Sequence, residues 1–158
     1  MDRFVSNTTL RLDAKGRVSI PASFRSVLAR DGFAGLYCYP ALDQPAIDAG
    51  GQALLVEIES LVNRFAPYSG EREEFLVALY GRSETVTIDT EGRVSLPDEL
   101  KSHAGITDAV AFVGLGHKFQ IWEPQRFRAH LAKATATVHT LTKRLGSERP
   151  ASDDGARE

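Results

Sequence analysis

A ten-residue segment near the start of the chain returns later in the sequence. Residues 12–21 have the sequence Leu-Asp-Ala-Lys-Gly-Arg-Val-Ser-Ile-Pro, and residues 88–97, 76 positions later, have the sequence Ile-Asp-Thr-Glu-Gly-Arg-Val-Ser-Leu-Pro. Six of the ten positions are identical, and two of the other four exchange leucine and isoleucine. A repeat constrains a fold strongly, because two copies of one sequence must form similar local structures. We therefore predict a chain built from two copies of one small β-rich unit.

Each copy predicts a strand, a tight turn, a second strand and a helix. An aspartate followed three residues later by glycine is typical of a turn, because the carboxylate binds turn amides and glycine accepts a positive φ. The Arg-Val-Ser stretch that follows alternates polar and apolar residues, as a half-buried strand does. Pro21 and Pro97 fit the first position of a helix. Gly32 and Gly105 fit the ends of the two helices.

Further strands are predicted downstream of each helix. Apolar residues favour strands over 35–40 and 46–49 in the first copy, and over 109–114 and 118–122 in the second. Each copy is therefore expected to contain two strands, a helix and two more strands, in that order.

The segments between and after the copies are predicted to be helical. Apolar residues recur at helical spacing between 54 and 65, and Ser69 followed by glutamates is typical of a helix start. After Pro124, apolar residues step by three and four, which indicates a helix whose packing seam docks on the body of the protein or on a neighbouring subunit. The predicted divisions are a first unit (1–52), a helical insert (53–82), a second unit (83–124), a C-terminal helix (125–145) and a polar, disordered tail (146–158).

Charge is distributed unevenly along the chain, although the net charge is only −2. Residues 1–30 contain six lysines and arginines against two aspartates, whereas residues 43–84 contain eight acidic residues against three arginines. A chain of this kind can present an anion-binding face while it stays near neutral overall. The charge distribution is therefore compatible with a nucleic-acid partner.

Composition favours a cytoplasmic globular protein. Hydrophobic residues make up 42% of the chain and charged residues 25%, which is an ordinary balance for a packed domain. The single cysteine, Cys38, has no partner for an internal disulfide, and no signal-peptide pattern is evident. No apolar run approaches the roughly 20 residues that a membrane span requires, so we expect no membrane partner.

The turn sequences Asp13-Ala-Lys-Gly-Arg17 and Asp89-Thr-Glu-Gly-Arg93 resemble those of the MraZ family, whose members carry two Asp-x-x-x-Arg motifs in tandem AbrB-like units. The resemblance extends over about residues 1–145. It implies an α+β, β-rich fold: a double-split β-barrel of two pseudo-symmetric, interlocked copies with a helical insert and a C-terminal helix. It also implies a ring-shaped homo-oligomer on the nucleoid that binds double-stranded DNA. The binding sites would be repeated boxes upstream of a cell-division and cell-wall gene cluster, usually for repression.

The same resemblance implies which residues contact DNA. Arg17 and Arg93 are the first candidates, and the planar fork of arginine suits them to pair with phosphate or with guanine. Arg25 matches a position that AbrB-like proteins use for the same purpose, and Lys101 is its counterpart in the second copy. The remaining candidates are basic residues of the first copy: Arg3, Arg11 and Lys15.

Two aspartates and two glycines complete the predicted site. Asp13 and Asp89 are expected to orient the arginines rather than to contact DNA, because a fixed guanidinium loses less entropy on binding. Gly16 and Gly92 permit the turns. A plainer interpretation is that each aspartate caps its turn and each arginine forms a surface ion pair of little energetic value.

The copies also differ from each other and from the family pattern. Lys15 becomes Glu91 in the second copy, so we expect the first copy to dominate DNA binding. The usual amino-terminal Phe-x-Gly is replaced by Arg3-Phe4-Val5-Ser6. Residues 46–51 stand where the family has a more apolar strand. We therefore expect the strand formed by these residues to be weakened or solvent-facing.

Other functions have weaker support. The main alternative is an AbrB-like antitoxin or protein-interaction module, although such antitoxins usually have one copy and a long tail. An enzyme would need a cleft with convergent ionisable groups, and no hydrolase or nucleotide-binding motif is present. The four histidines lack the spacing of metal ligands. We therefore expect no metal, no cofactor and no enzymatic activity.

Overall fold

The computed structural model describes residues 3–147 of the chain. The strands are β1 (Asn7–Arg11), β2 (Arg17–Ser19), β3 (Leu36–Pro40), β4 (Ile47–Gly50), β5 (Glu84–Val86), β6 (Arg93–Ser95), β7 (Ala109–Gly114) and β8 (Phe119–Trp122). The helices are α1 (Ala22–Asp31), α2 (Gln52–Val62), α3 (Gly70–Leu79), α4 (Asp98–Ala104) and α5 (Pro124–Ser147), with a short 3-10 helix at Tyr80–Arg82. The order of two strands, a helix and two strands is confirmed in each copy. The chain forms two compact units that divide after Pro124.

The strands form two antiparallel sheets in which the copies pair with each other. One sheet has six strands in the order β1-β7-β8-β4-β3-β5, and the other is a ribbon of β2 and β6. Strand β1 of the first copy pairs with β7 of the second, and β5 of the second pairs with β3 of the first. The α+β prediction is confirmed. These described strands form an open sheet and a ribbon, however, and they do not close into a barrel.

Helices α1 and α4 end where glycine was expected but begin one residue later than predicted. Gly32 and Gly105 have φ of 78° and 68°, the left-handed conformation that terminates a helix. Pro21 and Pro97 precede the helices instead of occupying their first position. Pro21 has a ψ of 139°, so its backbone is extended, while its carbonyl already accepts the first helical hydrogen bonds.

The core draws on both copies of the repeat. The face of the ribbon opposite the arginines buries Val18 and Val94, which join Phe24, Leu100 and Phe119 in one apolar cluster. A second cluster packs the insert helices against the sheet: Tyr37, Tyr39, Leu54, Ile58, Val62 and Leu79. Apolar burial on this scale is the main force that holds the two copies together.

Strand β4 is a central strand, so the prediction of a weakened or solvent-facing strand is wrong. All four of its residues are buried, and it pairs with β3 on one side and β8 on the other. Helix α2 explains the glycine at position 50, because a Cβ there would lie 3.0 Å from the Cβ of Leu54. The buried carboxylate of Asp48 accepts hydrogen bonds from Lys118 Nζ at 2.9 Å and Gln120 Nε2 at 2.8 Å.

The helical insert is confirmed, and the C-terminal helix is longer than predicted. Helix α3 begins after Ser69, whose hydroxyl accepts a hydrogen bond from the Arg72 amide at 3.1 Å. Gly146 and Ser147, which the sequence predicts to lie in the disordered tail, belong to α5. The Ser147 hydroxyl donates to the Arg144 carbonyl at 2.9 Å, which satisfies a carbonyl of the last turn. The rest of the predicted tail, 148–158, lies outside the described residues.

Candidate nucleic-acid interface

The first turn is built around the carboxylate of Asp13. Its Oδ1 accepts hydrogen bonds from the amides of Lys15 and Arg17 at 2.9 and 2.8 Å, and its Oδ2 accepts one from Arg17 Nε at 2.8 Å. Gly16 has a φ of 77°, which is why glycine occupies this position. One carboxylate therefore shapes the turn and also holds the guanidinium.

The second turn repeats these hydrogen bonds atom for atom. Asp89 Oδ1 accepts from the amides of Glu91 and Arg93, each at 2.9 Å, and Asp89 Oδ2 accepts from Arg93 Nε at 2.9 Å. Gly92 has a φ of 81°. The two turns are thus closely matched in local geometry, and they differ mainly in the side chains that they carry.

The ribbon of β2 and β6 places both arginines on one face. Arg17 is paired across the ribbon with Ser95, and Ser19 is paired with Arg93. Because side chains alternate along a strand, these four residues share one face while the valines between them point into the core. Arg17 and Arg93 are diagonal neighbours, a relation that separates residues by about 7–8 Å.

The arginines are held without being buried. The side chain of Arg17 is 30% exposed and that of Arg93 is 27% exposed. The hydrogen bond from the Arg17 amide, with a smaller contribution from its guanidinium, lowers the pKa of Asp13 below its usual value. Arg93 lowers the pKa of Asp89 in the same way. Both carboxylates therefore stay ionised at neutral pH. Each aspartate engages Nε, and among residues 3–147 Asp13 is the one ion-pair partner of Arg17.

The turns differ in the charge that stands beside the arginine. Glu91 Oε2 lies 3.3 Å from Arg93 Nη2, so Arg93 has two carboxylate partners. These carboxylates raise the pKa of Arg93, the Asp89 hydrogen bond most of all. Lys15 occupies the matching position of the first turn and is exposed. The first turn is accordingly the more cationic of the two.

Each turn also has a cation that comes from the helix of the other copy. A Cβ on Gly92 would lie 2.6 Å from Arg25 Nη1, so the guanidinium of Arg25 lies directly against the second turn. Arg25 Nε donates to the Ile20 carbonyl at 3.1 Å. In the first turn, a Cβ on Gly16 would lie 3.7 Å from Lys101 Nζ. The structure therefore brings together Arg17 with Lys101 and Arg93 with Arg25.

The other predicted cations lie at the edge of this group or away from it. Arg11 is exposed at the end of β1, and its Nη2 lies 3.8 Å from Asp108 Oδ2. Arg3 precedes Phe4, whose backbone pairs with Gly116 beyond the far end of β7. Because β1 runs antiparallel to β7, Arg3 and the first turn lie at opposite ends of that strand pair.

Two hydroxyls on the same face were missed by the sequence reasoning. Ser19 and Ser95 are exposed and lie between the two arginines on the ribbon. A serine hydroxyl can donate a hydrogen bond to phosphate. The signal was present in the Arg-Val-Ser alternation, because residues two apart in a strand share a face.

Among residues 3–147, no group of three or more histidine, cysteine, aspartate or glutamate side chains is placed to hold a metal ion. Within the same residues, no helix has the length and apolar character needed to cross a membrane. The absence of a cofactor remains a prediction.

Comparison with known proteins identifies the family. A family described as "MraZ protein, putative antitoxin-like" matches residues 79–147. The protein called Transcriptional regulator MraZ in Xanthobacter autotrophicus is 65% identical over 147 residues, which cover 93% of this chain and 94% of the relative. The chain belongs to the MraZ family. The MraZ relative from Beijerinckia indica is 58% identical and covers 100% of both chains, so both turns lie within the aligned region. The resemblance drawn from the two turn sequences is confirmed.

Proposed function

We propose that this chain is a sequence-specific, DNA-binding transcriptional regulator. Its relatives carry the name Transcriptional regulator MraZ. The observation that carries the proposal is the single ribbon face on which Arg17 and Arg93 are both held and both reachable from solvent. Two guanidinium groups of fixed orientation and spacing suit a regular array of phosphates and base edges better than they suit a small ligand.

In this proposal the residues have distinct roles. Arg17 and Arg93 contact the duplex, and Arg25 and Lys101 extend the cationic surface beside the opposite turns. Asp13 and Asp89 orient the arginines, which lowers the entropy lost on binding. Arg3, Arg11 and Lys15 contribute outlying phosphate contacts, and Gly16 and Gly92 keep the turns tight.

The biological setting is proposed from the family resemblance. The regulator would repress transcription from repeated boxes upstream of a cell-division and cell-wall gene cluster that includes its own gene. One subunit offers few cations, so useful affinity requires several subunits that engage several boxes together. We therefore propose a ring-shaped homo-oligomer that acts in the cytoplasm on the nucleoid.

For the fold we propose the pseudo-symmetric arrangement of two interlocked units, 1–52 and 83–124, that characterises a double-split barrel, although the described sheet is open. The order of strands in the six-stranded sheet supports it. If each strand is exchanged for its counterpart in the other copy, the order β1-β7-β8-β4-β3-β5 becomes the same order in reverse. The ribbon likewise pairs β2 with its own counterpart, β6.

Footprinting on DNA upstream of the chain's own gene tests the proposal. Evenly spaced protection is expected if subunits of one assembly occupy successive boxes. In a gel-shift titration on that DNA, Arg17→Ala should weaken binding more than Arg93→Ala, because Glu91 already occupies Arg93. Each loss should be about fivefold or more. Arg64→Ala, a charge change at an exposed position in the insert, is the matched control and should have little effect.

The salt dependence of binding provides a second measurement. Each lost phosphate contact should lower the slope of log affinity against log salt by about 0.9. Wild-type binding that is independent of salt and of DNA sequence, and that survives loss of both ribbon arginines, would refute the proposal.

An antitoxin or protein-interaction module is the second candidate. The wording "antitoxin-like" in the description of the matching family is the observation that favours it. Co-purification from the native host distinguishes the two functions. A stoichiometric protein partner whose capture does not depend on Arg17 and Arg93 would favour the module, whereas capture of promoter DNA that does depend on them favours the regulator.

A further inference from the structure

Helix α5 presents an exposed apolar stripe, which we call the α5 stripe. Its members recur at helical spacing and are 38–60% exposed: Leu131, Val138, Leu141 and Leu145. Stripes of this kind mark packing surfaces, because a solvated helix gains nothing from apolar residues aligned on one face. We therefore expect the α5 stripe to pack against a partner surface.

The charges on α5 restrict what that partner can be. Residues 124–147 contain five lysines and arginines and no aspartate or glutamate. In heptad terms Arg128 and Arg144 flank the stripe, whereas Lys143 lies on the opposite face. Two α5 helices packed together would bring like charges side by side. The stripe instead suits an apolar surface bordered by carboxylates.

Helix α3 has a surface of that description, which we call the α3 groove. It is lined by residues spaced three and four apart: Gly70, Glu73, Glu74, Val77 and Ala78. Val77 is 64% exposed. Glycine and alanine let another helix approach closely, and the two glutamates supply the charge that α5 lacks.

We infer that the α5 stripe of one copy docks antiparallel in the α3 groove of a second copy. In this orientation Leu141 packs on Val77, and one turn further along α5 Arg144 meets Glu74. Antiparallel packing also opposes the two helix dipoles. The inference rests on the proposed homo-oligomer and names its interface.

The pairing of two different surfaces determines how further copies can be added to the assembly. The two docking surfaces are different, so each copy offers both an α5 stripe and an α3 groove. Contacts of this head-to-tail kind close into a ring when the rotation between successive copies permits it.

Charge reversal tests the pair directly. Arg144→Glu and Glu74→Arg, each alone, should raise the concentration at which half of the chains are assembled at least about tenfold, because each places like charges together. The two substitutions combined should restore assembly to within about threefold of wild type, since the pair is rebuilt in reverse. Sedimentation and light scattering across a dilution series measure all three.

Lys143→Glu is the matched control, because it makes the same charge change one residue away on the opposite face of α5. It should leave assembly unchanged. If wild type assembles and neither single reversal affects it, or if the double reversal fails to recover assembly, the inference is overturned while the homo-oligomer stands. A wild-type chain that is monomeric at every concentration overturns both. Circular dichroism verifies that each variant is folded.

Discussion

Arg25, which the first copy places beside the second turn, can be displaced by substituting Gly92 with alanine. This substitution tests whether Arg25 belongs to the binding surface. Gly92 has a φ of 81°, and a Cβ there would lie 2.6 Å from Arg25 Nη1 and 2.7 Å from Arg25 Cδ. The left-handed backbone costs an L-residue about 1–2 kcal/mol. The Arg25 side chain must in addition shift away from the turn, since it would overlap the new methyl group.

Gly16→Ala is a control with almost the same backbone cost. Gly16 has a φ of 77°, but its nearest neighbour in the direction of a Cβ is Lys101 Nζ at 3.7 Å, an ordinary contact. Both variants should therefore lose about 1–2 kcal/mol of unfolding free energy. Only Gly92→Ala should also lose about fivefold or more in DNA affinity beyond its control, because one arginine contact is displaced.

Urea denaturation measures the first quantity, and fluorescence anisotropy with a labelled duplex measures the second. In an Arg25→Ala background, Gly92→Ala should cause no extra loss of DNA affinity relative to Gly16→Ala in the same background. If the two glycine variants weaken DNA binding equally when Arg25 is present, Arg25 contributes nothing from its position over the turn, and the reasoning is wrong.

Three further predictions follow from the same contacts. Glu91→Gln should raise DNA affinity up to about fivefold by releasing Arg93 from an exposed ion pair. This gain should vanish in an Arg93→Ala background. A gel shift that shows the same gain with and without Arg93 would contradict the prediction. Burial raises the pKa of the Cys38 thiol to about 12, so iodoacetamide at pH 8 should leave the folded protein unlabelled and label it in urea, as mass spectrometry can establish. The lowered pKa values of Asp13 and Asp89 stabilise the fold fully above about pH 4, and this stabilisation is lost as the pH falls through the lowered values. The urea midpoint should accordingly fall with acid less steeply in an Asp→Asn double variant, and an identical fall in both proteins would contradict this cause.

Local structure was predictable where a few adjacent residues determine it. The turn at Asp13 is an example, because its hydrogen bonds all involve partners within four positions. The helix ends at Gly32 and Gly105 are similar, since a left-handed residue terminates a helix wherever it occurs. The start of α3 at Ser69 depends on one side-chain hydrogen bond three residues away.

What could not be predicted depends on residues that are distant in the chain. Strand β4 is predicted to be weak because it contains Asp48 and Gly50, but a half-buried lysine partner and a close helix account for both. The position of Arg25 over Gly92 is likewise invisible in the sequence, since 67 residues separate them and no pattern marks the contact. The repeat predicted two similar turns, and only the fold shows that each turn has a cation from the other copy.

The candidate interface depends on the core, because the cation beside each turn comes from a helix of the other copy. Helix α1 carries Arg25 on one side and buries Phe24, Val27 and Leu28 on the other, within the same cluster as Val94 of the second copy. The place of the Arg25 guanidinium therefore depends on how well both copies pack. A single copy would lack the cation that the other copy places beside its turn. The repeat in the sequence is thus smaller than the unit that forms the surface, because each turn has its neighbouring cation only when both copies are present.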